Sequence, residues 1–150
     1  MLVDFTKELR IIKDLSFKYQ EKTGIDYHIF PAITLLENGY GQYPLVDRTT
    51  KEWAYNPLGI KGSSLHGAIT LNSYEYAPGF AYSAQVTFRK YLSYAECFDD
   101  ALFLIKLFYP SALSFRSVPV RFMEELLCGP VKWSTSSSYL KDFRRAVKFV

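Results

Sequence analysis

Apolar positions along the first part of the chain recur at the spacing of a helix. Phe5, Leu9, Ile12, Leu15, Phe17 and Tyr19 stand among charged residues, which predicts an amphipathic helix over 4–22 that Gly24 ends. A second, shorter helix should begin near Pro31, a residue tolerated in a first helical turn. It carries Ile33, Leu35 and Leu36 and must stop by Gly39 or Gly41. Residues 41–64 are rich in Gly, Pro, Asn and Tyr and read as loop, with one helical turn expected at Thr50 to Tyr55.

The period then changes. From Ala68 to Val86, Ile69, Leu71, Ser73, Glu75 and Ala77 alternate with Thr70, Asn72, Tyr74 and Tyr76, and Pro78-Gly79 offers a turn before Ala81 to Val86 return. A β-hairpin inserted in a helical protein is the expectation. Three more helices follow: one capped by Ser93 and ended by Tyr109-Pro110, one over Pro119 to Leu127 closed by Gly129-Pro130, and one after the Ser/Thr run at 134–138. The pattern gives an α+β, mostly helical fold as one domain over 1–150, without repeat or linker.

Composition adds less. The 150 residues are 49% hydrophobic, enough to build a core, and carry a net charge of +3. Such a balance suits an anionic polymer but equally an ordinary solvated surface. The basic residues of the last helix, Lys141, Arg144, Arg145 and Lys148, read as a solvated face, so no nucleic-acid partner is expected. Twelve Tyr and two Trp are suited to line a carbohydrate groove, since each joins a flat apolar face to a hydrogen-bonding tip; most of the twelve Phe belong to the core. Cys97 and Cys128 show no pairing or metal spacing and read as buried small residues on helices, with no disulfide. Charges at Asp4, Lys7, Glu8, Arg10 and Lys13 exclude a signal-peptide apolar run, and no stretch is long enough to span a bilayer.

The residue that invites chemistry is Glu37. It ends an apolar helix, shares a face with Ile33, and is followed at once by Asn38-Gly39-Tyr40-Gly41, which breaks the helix and leaves the carboxyl at the lip of a turn. Hydrolysis of a glycosidic bond needs a proton donor because a sugar alkoxide leaves poorly, and a partly desolvated carboxylic acid serves near neutral pH. The plain alternative is an exposed helix-end glutamate.

Five ordered segments carry a resemblance. LLENGYGQYPL resembles the acid-bearing signature of the glucosaminidase family, glycoside hydrolase family 73; NPLGIKGSS, TLNSYEYAPG, FRKYLSYAECFDD and GPVKWSTSSSYLKDF resemble its later motifs in the same order. The resemblance implies a lysozyme-like fold, with a glycan groove between a helical lobe and a small β-hairpin lobe. It implies hydrolysis of the β-1,4 bond between N-acetylglucosamine and N-acetylmuramic acid in peptidoglycan. Carried over residue by residue, Glu37 is the general acid. Glu75 is the second glutamate, a base for water or an orienting group beside the substrate's own N-acetyl group. Tyr40, Asn56, Lys61, Tyr76, Trp133 and Tyr139 fall at substrate-binding or groove-shaping positions, whereas Phe88, Arg89 and Tyr91 pack the hairpin onto the helices and Asp99 and Asp100 are not catalytic. The chain departs from the pattern at Ile33, Asn38, Leu58 and Trp133. The last is the most consequential, because an indole stacks on sugar but has no phenolic hydroxyl.

The expected partner is a peptidoglycan glycan strand, bound by a monomer without cofactor, metal or membrane. Two rivals stay open. A lytic transglycosylase uses one Glu on a similar fold, although the Gly-Leu-Met-Gln segment usual in those enzymes is missing, and a non-catalytic wall-binding module could keep the fold. The route to the wall is open too: a phage or prophage lysis protein, a tail component or a domain of a longer autolysin.

Overall fold

The computed structural model describes residues 4–150, apart from the side chains of residues 74–76. Its first helix, α1 (Phe5–Thr23), starts where Asp4 accepts a hydrogen bond from the Lys7 amide at 3.1 Å, and stops at Gly24 in the left-handed conformation. Helix α2 (Ile29–Glu37) differs from an amphipathic surface helix. Every residue from Ile29 to Leu35 is buried, so it forms the central post of the molecule with other helices around it. Its one polar side chain in that run, Thr34, donates to the Phe30 carbonyl at 2.9 Å. A short 3-10 turn, Gly39–Gly41, follows.

The hairpin pairs β1 (Ala68–Ala77) with β2 (Phe80–Arg89), antiparallel, with Ala77 opposite Phe80 across the Pro78-Gly79 turn. It extends three residues beyond the expected end at Val86. Residues 60–62 continue the sheet at its base: the Arg89 amide donates to Ile60 O and the Gly62 amide to Thr87 O, each at 2.9 Å. Helix α3 (Tyr94–Phe108) begins at Ser93, whose hydroxyl accepts from the Glu96 amide. A 3-10 helix over Pro110–Phe115 connects it to α4 (Pro119–Leu127), and α5 (Tyr139–Val147) closes the chain. The main core joins Ile12, Ile33, Phe98, Ile105, Phe122 and Phe143 from all five helices, and a small second cluster of Leu45, Ala54, Ile69 and Phe88 roots the hairpin.

Two expectations are corrected. Thr50 to Tyr55 is not a helical turn. Asp47 accepts from the amides of Thr49 and Thr50 in a tight turn, Lys51 and Tyr55 take positive φ, and Trp53 bridges back to Val46. A left-handed residue at each end is incompatible with a helix there. Cys97 is buried on α3 as expected, but Cys128 is exposed just past the end of α4; both are free thiols.

Among the described residues no helix is long and apolar enough to cross a membrane, and no group of His, Cys, Asp or Glu is clustered to hold a metal ion.

Candidate active site

A groove of about 910 Å³ runs between the helical body and the hairpin. One wall is the end of α2 with the loop at 59–61; strand residues Asn72, Ser73, Phe88 and Arg89 form another. Opposite them stand the end of α3, the segment 131–136 and the start of α5.

Glu37 lies in this groove as the last residue of the buried post α2. Three features fix its carboxyl. Helix α2 is anchored by packing, buried at every residue from Ile29 to Leu35. The Tyr139 hydroxyl, from the first residue of α5, donates to Glu37 Oε1 at 2.9 Å. On the other side Gly59 presents bare backbone: a Cβ there would lie 2.5 Å from Glu37 Oε2, and φ of +66° independently favours glycine. The carboxyl is therefore wedged between a phenol and a glycine.

Tyr139 is buried, and its phenol is pushed well above the ordinary tyrosine value. Burial is the main cause, then the negative charge of Glu37 and the hydrogen bond to it, with a hydrogen bond from the Trp133 side chain acting the other way. The phenol consequently remains a donor to Glu37 at any physiological pH.

Asn38, fully buried, closes the end of α2. Its amide nitrogen donates to Thr34 O at 2.9 Å and Pro57 O at 3.1 Å, while its side-chain oxygen accepts from the Leu45 amide at 3.3 Å. One side chain thus pins both ends of the loop that brings Gly59 against Glu37. Asn56 acts similarly one layer back. It is fully buried, donates to Ile60 O and Arg89 O at 2.9 Å, and accepts from the Ile60 amide at 3.0 Å. It is not among the groove residues; it shapes the loop that is.

The other sequence-derived candidates divide. Lys61, Trp133 and Tyr139 line the groove with Glu37. Tyr40 does not: its backbone has φ of +55°, and its ring meets Phe149 edge-on at 6.1 Å. The aromatic at that rim is Tyr43, whose ring crosses Gly39 so closely that a Cβ would be 2.6 Å from Cδ2. Tyr43 stands in the same Gly-Tyr-Gly-Gln-Tyr run, in which Gly39, Tyr40 and Gly41 all take positive φ. The side chains of Glu75 and Tyr76 lie outside the described residues; their backbone belongs to the outer half of β1, opposite Tyr82 and Ala81.

Sequence reasoning also passed over the hydroxyls of Ser134, Thr135 and Ser136, which line the groove. The hydroxyls of Ser136 and Ser138 lie 3.2 Å apart, and Ser138 donates to Asp142 at 2.9 Å. The signal was present as the Ser/Thr run, which reads equally well as a linker before a helix. Among the described groove residues Asp142 is the second carboxylate.

A carboxyl held by a permanent donor, at the floor of an open groove with aromatic and hydroxyl walls, can deliver a proton to a bound glycoside. Arg89 and Tyr91 serve a different purpose. Both bind Asp100 Oδ2, Arg89 at 2.8 Å, and so tie the base of the hairpin to α3.

Comparison with known proteins places the chain in a family. Residues 13–148 match the family model described as glucosaminidase, mannosyl-glycoprotein endo-beta-N-acetylglucosaminidase. The peptidoglycan hydrolase FlgJ of Salmonella typhimurium is 34% identical over 87 residues, 57% of this chain and 27% of FlgJ. The match thus spans about a quarter of that relative. A peptidoglycan hydrolase mutant from Sphingomonas sp. A1 superposes with a TM-score of 0.73 at 24% identity, over 88% of this chain and 85% of that one. The catalytic domain of the autolysin Auto from Listeria monocytogenes does so with a TM-score of 0.66 at 20% identity, over 99% of this chain and 86% of the other. These structures share the lysozyme-like fold of a helical lobe and a small hairpin lobe. With the family model covering almost the whole chain, from the first helix to the last, this protein belongs to the glucosaminidase family of glycoside hydrolases.

Proposed function

We propose that this chain hydrolyses the β-1,4 bond between N-acetylglucosamine and N-acetylmuramic acid in bacterial peptidoglycan, with Glu37 as general acid. The observation that carries the reading is the Glu37 carboxyl, fixed between the Tyr139 hydroxyl and Gly59 and set in the open groove between the helices and the hairpin. The relatives suggest the substrate class, since FlgJ and the Sphingomonas protein are both peptidoglycan hydrolases.

In the reaction the glycan lies along the groove, and Glu37 protonates the oxygen of the scissile bond as it breaks. Tyr139 then stabilises the carboxylate left behind by continuing to donate to it. This phenol bears on the departure at Trp133. The indole stacks on a sugar ring and Tyr139 supplies the hydroxyl beside the acid, a division of labour between two residues of the same wall.

Water is activated in this reading by Glu75, on the strand whose earlier residues Asn72 and Ser73 line the groove. The substrate's N-acetyl group attacks instead if Glu75 only orients it. Lys61 and Tyr76 bind sugar substituents. The enzyme works as a monomer on the bacterial wall, delivered as a phage-encoded endolysin or as a domain of an autolysin.

Mass spectrometry of the products released from purified peptidoglycan, wild type beside Glu37→Gln, tests this. Reducing N-acetylglucosamine ends from the wild type, and a rate at least ~10²-fold lower in the variant, are expected. Anhydromuramic ends would make the chain a lytic transglycosylase, and binding without any release would make it a wall-binding module. Equal rates in the two proteins would remove Glu37 from the chemistry.

A further inference from the structure

The helical wall of the groove carries three aromatic rings in a row. Tyr109 stands in the middle, buried in the core at 7% exposure. Phe108 meets it edge-on with centroids 6.5 Å apart at 67°, and Trp133 does so at 6.4 Å and 63°. All three line the groove. Tyr109 therefore acts as a pillar, in edge contact with both of the other rings.

The two outer rings differ in what else supports them. Trp133 packs against the main core and hydrogen-bonds towards Tyr139, which places it beside Glu37. Phe108 is 51% exposed and stands outside the core cluster; Leu104, one turn before it on α3, also lines the groove. A phenylalanine held by a pillar, half open to solvent and facing a groove, presents a fixed apolar face. The less polar face of a pyranose ring fits such a surface, because stacking removes apolar area from both while the equatorial hydroxyls stay in water.

We infer that Phe108 is a sugar-binding residue of an outer subsite of the groove, and that it makes the protein select long glycan strands over short ones. The inference rests on the glycan-strand reading of the groove. Rigid placement matters here: a ring already ordered by Tyr109 loses little conformational freedom on binding.

The test is calorimetric binding of peptide-free glycan fragments of alternating N-acetylglucosamine and N-acetylmuramic acid, a hexasaccharide and a disaccharide, to the Glu37→Gln protein. In that background, Phe108→Ser should weaken the hexasaccharide roughly tenfold and widen the loss relative to the disaccharide. Phe103→Ser is the control. Phe103 is 62% exposed on the same helix but does not line the groove, so its replacement should leave the hexasaccharide affinity unchanged.

An unchanged hexasaccharide affinity in Phe108→Ser would overturn the subsite. So would an equal loss for both fragments, which would mark a general distortion of the groove. If the parent protein binds neither fragment, the glycan-strand reading itself fails, an outcome distinct from tight parental binding that Phe108→Ser does not disturb.

Discussion

At the level of single residues, the site is defined by how little room Glu37 has. Adding one methyl at Gly59 would put carbon 2.5 Å from Glu37 Oε2, and the positive φ adds backbone strain of its own. Gly59→Ala should therefore cost about 1–2 kcal/mol of stability. It should also lower turnover by far more than that loss implies, because the carboxyl must swing out of its wedge. Urea denaturation and wall-clearing rates measured together would separate the two effects; normal turnover in a destabilised variant would show that the wedge is dispensable. Tyr139→Phe is gentler. It keeps the buried ring and removes only the hydroxyl that donates to Glu37, so kcat should fall roughly tenfold or more, in line with a hydrogen bond to a charged group. KM should hardly move, since the phenol touches the acid and not the sugar. A rise in KM at constant kcat would instead make Tyr139 a binding residue.

Between elements, the connection that matters is the anchor of the hairpin. Strands β1 and β2 pair extensively with each other, and the hairpin is fastened to the helices near its base, where Asp100 on α3 receives both Arg89 and Tyr91. The side chains of Arg89 and Asp100 are less than a quarter exposed, so Asp100→Ala would leave a half-buried guanidinium without its carboxylate. A loss of about 2 kcal/mol in urea denaturation is expected, with faster proteolytic cutting in the hairpin. Stability equal to wild type would show that residues 60–62 and the small second core hold the hairpin unaided. The elements themselves were largely legible in the sequence, because each is announced by local chemistry. Asp4 and Gly24 bound α1, Ser93 caps α3, and Pro119 and Leu127 delimit α4. What was not legible depends on contacts far along the chain or on a single backbone angle. The turn at 47–50 and the bridge between Val46 and Trp53 replaced the expected helical turn at Thr50 to Tyr55. The run of positive φ at Gly39, Tyr40 and Gly41 goes with a Tyr40 ring outside the groove and a Tyr43 ring at its rim. Glu37 was nameable from its helix and its motif, but its phenol lies 102 residues away, and no local pattern pairs Glu37 with Tyr139.

For the molecule as a whole, the buried phenols set the behaviour in alkali. Tyr19, Tyr91, Tyr94 and Tyr139 are each buried, and each is pushed above its ordinary value, first by burial and then by a neighbouring carboxylate that its hydroxyl binds. Those carboxylates are Asp99, Asp100, Glu8 and Glu37, so three of these bonds join helices or the hairpin base together and the fourth holds the acid. Cys97, fully buried, is pushed up by burial, against a hydrogen bond from the Leu58 backbone that acts the other way. The native state keeps these protons in a range where the unfolded chain gives them up, beginning near pH 9 for the thiol and near pH 10 for the phenols. Stability is then complete below that range and falls as pH rises through it, by about 1.4 kcal/mol per pH unit for each proton retained. Several such groups acting together outweigh the marginal stability of a small domain, typically about 5–15 kcal/mol, within a couple of pH units. Thermal melting should accordingly be nearly flat from pH 7 to about 9 and drop steeply towards pH 11, and tyrosinate absorbance from the buried rings should rise in step with unfolding. A melting temperature that held constant to pH 11, with tyrosinate appearing in the folded protein, would mean that the phenol–carboxylate pairs open without loss of the fold. In that case neither Tyr139 nor its three counterparts could be counted among the groups that keep the helices, the hairpin base and Glu37 in register.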